Sequence, residues 1–185
     1  VLVIVKDGDI VEKADEGSDI SVILDNTSFY FEMGGQVGDS GIIESGGFRM
    51  EVADCRKTPN GKVIHIGRIL EGTISQGDAV QTHVDFKRHM DIARNHTATH
   101  LLHGALRNVL GTHVEQAGSL VTPDRLRFDF THFEALTDEE LKRVENLVNT
   151  KIMESLEVTT VETSIEKARS MGAMALFGEK YGSVV

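Results

Sequence analysis

The residues best equipped for chemistry lie in one run, Asn95-His96-Thr97-Ala98-Thr99-His100-Leu101-Leu102-His103. If the run is helical, imidazoles at i, i+4 and i+7 share a face, because each residue advances by about 100°. On that wheel His96, His100 and His103 form a narrow stripe, while Ala98, Leu101, Leu102, Ala105 and Val109 gather opposite. All three histidines are therefore expected to look away from the apolar seam. Two imidazoles one turn apart can clamp a divalent metal when further ligands arrive from elsewhere. The plain alternative is a solvated polar stripe. A metalloprotease would want a glutamate directly after the first histidine as general base, and Thr97 stands there instead.

The helix that must carry these residues follows from a change of period near residue 86. Before it come short β-rich runs, Val1–Val5, Ile20–Leu24, Phe29–Glu32, Arg49–Ala53, Val63–Ile69 and Ala79–Val84, separated by Gly, Asn and Asp clusters. That spacing predicts a barrel-like half or curled sheet over residues 1–86. Beyond it the pattern turns helical through Leu110, where Gly111 supplies a stop. Val114–Val121 and Leu126–Phe130 read as strands joined through Thr122-Pro123-Asp124. Thr137-Asp138-Glu139-Glu140 is a capping box, and Leu141, Val144, Leu147, Val148 and Ile152 supply the next helix with one apolar face. Glu157–Glu162 reads as a strand, Ser164 as an N-cap and Ala173–Phe177 as a last buried segment. The fold class is thus α+β, with a β-rich half over 1–86 and a helix-bearing α+β half over 87–185.

Composition narrows the function classes. The 185 residues are 40% apolar, enough for a sizeable core. Cys55 is the single cysteine, so no intrachain disulfide forms, and no apolar run approaches the ~18 residues of a membrane span. With no signal-peptide pattern at the start, a reducing, cytoplasmic setting is expected, and Val1 in place of Met suggests an excised fragment or processing. A net charge of −10 argues against a broad nucleic-acid surface. The stretch 87–130 runs the other way, with Lys87, Arg88, Arg94, Arg107, Arg125 and Arg127 around the histidine run. A local contact with an RNA end is compatible with that distribution.

Four stretches together carry a family resemblance. They are Phe29-Tyr30-Phe31-Glu32-Met33-Gly34-Gly35-Gln36-Val37-Gly38-Asp39, the His96–His103 run, Gln116-Ala117-Gly118-Ser119-Leu120 before Arg125–Phe130, and Gly172-Ala173-Met174-Ala175-Leu176-Phe177-Gly178-Glu179-Lys180-Tyr181-Gly182. In this order they resemble the editing domains of alanyl-tRNA synthetases and the related free-standing editing proteins, whose core is similar to the threonyl-tRNA synthetase editing domain. The resemblance implies hydrolysis of Ser-tRNA(Ala) and Gly-tRNA(Ala) at a zinc-associated site. His96 and His100 match two of that family's zinc ligands. Its other two come from a Cys-Gly-Gly-Thr-His segment, expected just after Gly182-Ser183-Val184-Val185 and matched by no residue here. Zinc binding by two imidazoles alone is expected to be weak.

Thr99 and Gln116 match positions that the resemblance implies recognise the amino acid and serve catalysis. A hydroxyl and an amide can pair with the serine hydroxyl that alanine lacks, a strong basis for selection. Read without the family, Thr99 would bond back to a helix carbonyl and Gln116 would be a solvated strand residue. Gly34, Gly35 and Gln36 are candidates for contact with the tRNA end, or else form a tight turn between strands. Arg88, Arg125 and Arg127 complete the candidate tRNA-binding set. The implied partners are the tRNA(Ala) acceptor end and the remaining domains of a parent synthetase, with no membrane. The competing class is a catalytically incomplete module that only binds RNA or a partner domain.

Overall fold

A computed structural model describes residues 1–159 and 161–172. The expected segment Ala173–Phe177 and nearly all of the fourth motif lie outside the described residues. Two compact units divide the chain, Val1–Thr99 with Ser119–Arg127, and His100–Gly118 with the residues from Phe128 on.

In the first unit, seven antiparallel strands make one sheet. They are β1 (Val3–Lys6), β2 (Asp9–Val11), β4 (Asp19–Ile23), β5 (Gly41–Ser45), β6 (Phe48–Lys57), β7 (Val63–Glu71) and β9 (Gln81–Val84), in the order β2-β1-β4-β7-β6-β5-β9. A separate ribbon pairs β3 (Lys13–Asp15) with β8 (Thr73–Ser75). Its buried Ala14 and Ile74 join the same apolar cluster as Ile4, Val22, Ile43, Met50, Val52 and Ile69. The sheet's inner face and the ribbon thus share one apolar core, and the sheet runs from edge strand β2 to edge strand β9.

Strand β6 shows how the sequence dictates this. Phe48, Met50 and Val52 alternate inward with exposed Arg49 and Glu51, as a half-buried strand requires. A register shift between Val52 and Asp54 then changes the phase, so Cys55 rather than Asp54 enters the core. The Asp54 carboxylate accepts from the Cys55 N–H at 2.9 Å and from Arg56 Nε at 2.8 Å.

His65 on β7 is wholly buried. Its Nδ1 donates to the Val22 carbonyl at 3.0 Å, and its Nε2 accepts from the Thr27 hydroxyl at 2.7 Å, so the neutral ring is satisfied on both sides. Burial pushes its pKa below the ordinary histidine value, outweighing the Val22 bond. The unfolded chain then binds a proton that the native one excludes. Stability is fully present above the unfolded value of about 6.5 and is lost as pH falls below it through the folded value. We expect the urea midpoint to drop between about pH 7.5 and pH 5.5 and His65→Gln to flatten that dependence; an identical midpoint at both pH values in the parent chain would contradict the buried neutral ring.

Phe29–Glu32 is not a ladder strand. Its backbone is committed elsewhere: the Glu32 N–H donates to the Cys55 carbonyl at 2.8 Å, the Tyr30 N–H to Asp39 Oδ2 at 2.9 Å, and the Phe29 N–H to Thr27 Oγ1 at 3.2 Å.

Helix α1 runs unbroken from Phe86 to Leu110, as the period predicts, and Gly111 ends it with φ +119°. Strands β10 (Gln116–Val121) and β11 (Leu126–Phe130) form the expected hairpin. In the second unit, α2 (Asp138–Met153) starts at the capping box: Thr137 Oγ1 accepts from the Glu140 N–H, and the Glu140 carboxylate accepts from the Thr137 N–H. Those bonds hold the Glu140 carboxyl below its ordinary pKa. Buried Ala105, Leu106, Val114 and Val144 form this unit's core, flanked by Leu102, Val109, Phe128, Phe130, Leu147 and Val148. The apolar face of α2 is narrower than expected. Leu141 and Ile152, at the two ends of its stripe, are each 51% exposed because they stand beyond the side chains that cover its middle. Among the described residues of Glu157–Glu162 there is no strand, and Val158 and Val161 are exposed. No sheet edge among the described residues pairs with that backbone, so β-propensity has nothing to act on. Helix α3 (Ile165–Ser170) follows Ser164, whose hydroxyl accepts from the Lys167 N–H at 3.4 Å.

Candidate functional site

The glycine motif begins with a two-residue turn. Met33 and Gln36 exchange backbone hydrogen bonds at 3.2 and 3.0 Å, and between them Gly34 and Gly35 have φ +61° and +84°. Two successive positive φ values belong to a tight hairpin turn that glycine enters without strain. The second glycine has a further reason to be there: a Cβ on Gly35 would lie 2.4 Å from the Ser119 carbonyl oxygen. The Val121 N–H donates to the Gly35 carbonyl at 2.8 Å, and the Val37 N–H to the Val121 carbonyl at 3.1 Å. The turn is thereby fastened to the first unit's part of β10.

Its continuation is fastened to α1. Gly38 lies so close to β6 that a Cβ would meet the Cys55 carbonyl oxygen at 2.5 Å. The Gly38 carbonyl accepts from Arg88 Nη1 at 2.8 Å. Asp39, only 1% exposed, accepts from His89 Nδ1 at 3.0 and 3.1 Å as well as from the Tyr30 N–H. Between these anchors the buried Gln36 side chain places Oε1 2.5 Å from His96 Nδ1. Two motifs separated by 60 residues therefore meet at one hydrogen bond.

The other candidates occupy defined positions. His96 is half-buried and His100 exposed, one turn apart on α1. Thr99 is buried, and its hydroxyl donates to the Asn95 carbonyl at 2.8 Å, leaving its oxygen lone pairs as the remaining function. Neighbouring Asn95 ties α1 to the hairpin loop by donating to the Thr122 and Pro123 carbonyls at 2.8 and 3.1 Å. Gln116 opens β10 and is half-buried. Arg125 is exposed in the loop that Thr122 closes by bonding its backbone, and Arg127 is exposed on β11. Arg88, by contrast, uses one N–H on Gly38.

His103 departs from the expected stripe. It is 4% exposed, its ring centroid lies 5.2 Å from that of Phe128, and among the described residues its Nε2 has no hydrogen-bond partner. The helical wheel is correct, but Phe128 of β11 packs on His103, a position that the wheel assigns to solvent. Burial pushes the His103 pKa down, against a Val114 backbone bond that raises it. Of the three histidines only His100 is exposed, and His96 is half-buried.

A metal was expected on those two residues. Among the described residues no group of three or more His, Cys, Asp or Glu side chains is arranged to hold one. Cys55 offers no thiolate, since it is wholly buried and its pKa is pushed up to about 12, first by burial and then by Asp54 and Asp39. The fit rests on His96 and His100 alone: imidazoles at i, i+4, one of them already bonded through Nδ1 to a side-chain oxygen, as a metal-ligating histidine usually is.

Sequence reasoning missed Asp39 and His89, although Asp39 closes the quoted glycine motif. Nothing in local spacing pairs residues 50 apart.

Residues 1–88 match the family described as tRNA synthetases class II (A). All 185 residues align with the alanine–tRNA ligase of Acetivibrio thermocellus at 62% identity and with that of Alkaliphilus oremlandii at 56%. The alanine–tRNA ligase of Clostridioides difficile is 56% identical over 182 residues, 98% of the chain. In each case the chain spans 21% of the relative's length. Similarity to alanine–tRNA ligases thus runs along the whole chain. No helix among the described residues is long and apolar enough to cross a membrane.

Proposed function

From this similarity we propose that the chain is the editing part of an alanine–tRNA ligase, hydrolysing the ester of Ser-tRNA(Ala) and Gly-tRNA(Ala) in the cytoplasm. The observation that carries the reading is the bond between Gln36 of the glycine motif and His96 of the histidine run, within a scaffold of Arg88, His89 and Asp39. The division of labour is a β-rich part over 1–86 and a catalytic part over 87–185.

The aminoacyl ester is intrinsically labile, so the protein mainly has to position it, admit water and stabilise the oxyanion. Thr99 suits serine recognition for a specific reason: with its proton committed to Asn95, its oxygen is left as an acceptor for a serine hydroxyl, a bond alanine cannot make. Gln116 supplies an amide that can both donate and accept. His96 and His100 would hold zinc together with donors from outside the described residues; when bound, the metal would supply Lewis-acid polarisation of the ester or of water. The exposed turn at Gly34, with Arg88, Arg125 and Arg127, would receive the tRNA acceptor end. At a net charge of −10, most tRNA affinity would come from other domains of the ligase.

The test is deacylation of Ser-tRNA(Ala) by the full-length ligase. Thr99→Ala and Gln116→His are expected to change serine clearance about tenfold or more while leaving alanine activation intact, as loss of a recognition hydrogen bond predicts. Unchanged clearance of serine together with unchanged sparing of Ala-tRNA(Ala) would refute the recognition roles. A second reading is favoured by the basic residues Lys87, Arg88, Arg94, Arg107, Arg125 and Arg127 within 87–130. Under it the chain binds RNA or a partner domain without catalysis. It predicts tRNA binding by this chain with no zinc uptake and no deacylation, in a ligase whose editing survives His96→Ala.

A further inference from the structure

We propose that Gln36 is a positioning residue for His96: its carboxamide oxygen selects the imidazole tautomer protonated at Nδ1, so that Nε2 carries the ring's lone pair. A neutral imidazole has one donor nitrogen and one acceptor nitrogen, and a neighbour's hydrogen bond decides which is which. Gln36 Oε1 can only accept, so at 2.5 Å from Nδ1 it requires the proton there.

The geometry around Gln36 makes this assignment more than an incidental bond. Its backbone is fixed by the paired bonds to Met33, and the flanking Gly35 and Val37 are tied to Val121. Gly35 abuts Ser119 without room for a Cβ. Asp39 then anchors the chain beyond the turn to His89. A side chain only 7% exposed, launched from a turn held on both sides, has little rotamer freedom. An amide also differs from a carboxylate in kind: it fixes the same tautomer without placing a negative charge beside the ring. This explains why the motif ends its two glycines on a glutamine. The consequence for a metal rests on the editing reading, whereas the tautomer is a property of the metal-free chain.

Both parts are measurable on the 185-residue chain. Long-range proton–nitrogen spectra of metal-free protein at about pH 8, above the ordinary histidine range, should show His96 protonated at Nδ1. Gln36→Glu, whose carboxylate is again only an acceptor, should keep that signature. Gln36→Leu should lose it and give a tautomer mixture, with circular dichroism establishing that the variant is folded. A proton on Nε2 in the parent chain or in Gln36→Glu, or an Nδ1 proton that persists in Gln36→Leu, overturns the proposal. Titration with zinc alone should then show Gln36→Leu binding about 10–100-fold more weakly than the parent. If His96 has the expected tautomer and zinc does not bind at all, the positioning role stands and the metal part of the editing reading falls.

Discussion

Gly67→Ala is expected to abolish stable folding of the sheet. Gly67 sits on β7 between two partners, paired with Ile20 of β4 on one side and Val52 of β6 on the other. A Cβ built there would lie 1.8 Å from the Glu51 carbonyl oxygen and 2.8 Å from its carbonyl carbon. These are backbone atoms of a central strand, so no rotamer change relieves the overlap. Either β6 and β7 separate and lose ladder bonds, or the bulge between Val52 and Asp54 is rebuilt and Cys55 leaves the core. Either response belongs to the rare class of substitutions that cost more than about 4 kcal/mol. Gly46→Ala is the control, since a Cβ there meets nothing within 4 Å and its φ is not in the left-handed region. In urea melts followed by circular dichroism, Gly46→Ala should unfold with the parent midpoint and Gly67→Ala should be unfolded or aggregated without denaturant. A Gly67→Ala protein with the parent midpoint would show that the β6 and β7 backbones are not packed as described.

Asp39→Ala should release the glycine motif from α1, with a loss on the order of 3 kcal/mol. The carboxylate is buried, and each bond it accepts is charge-assisted, a class that contributes about 1.5–3 kcal/mol. Removing it deletes both contacts to His89 and leaves the Tyr30 N–H without its acceptor in a half-buried position. His89 is 40% exposed, and water will take over part of its bond, so the estimate stays below the sum of the individual terms. Asp39→Asn keeps an acceptor for Tyr30 and should recover about half of the loss. The substitution should also reach the candidate site, because Gln36 lies three residues upstream on the same loop. Hydrogen exchange of the Met33–Val37 amides should accelerate in Asp39→Ala and less so in Asp39→Asn. If exchange there stays at the parent rate while stability falls, Asp39 supports the sheet without holding the turn.

The parts of the fold legible in the sequence are those set within a turn or two of chain. The helix from Phe86 to Leu110 with its glycine stop, the Thr137/Glu140 box and the β10–β11 hairpin all arise where a residue's partner is close by. The motifs were equally legible, because Gly34-Gly35-Gln36 and His96-x-x-x-His100 are short strings whose spacing is itself the signal. Short β3 and β8 escaped notice because three-residue strands carry no period of their own and exist only through each other. Phe29–Glu32 failed as a strand for the opposite reason: its composition suits a sheet, but its N–H groups are taken by a hydroxyl, the Cys55 carbonyl and a buried carboxylate.

By itself the sequence determined which residues are candidates for the chemistry: imidazoles one turn apart, a hydroxyl between them, and a glycine turn ending in an amide. Tertiary structure alone decided how they are used. It put His103 against Phe128, left His96 half-buried and His100 exposed, and laid Gln36 on His96 and Asp39 on His89 across separations of 60 and 50 residues. The physical reason is that helical period and capping are local energies, whereas a hydrogen bond between distant residues forms only after loop closure and packing have brought them together.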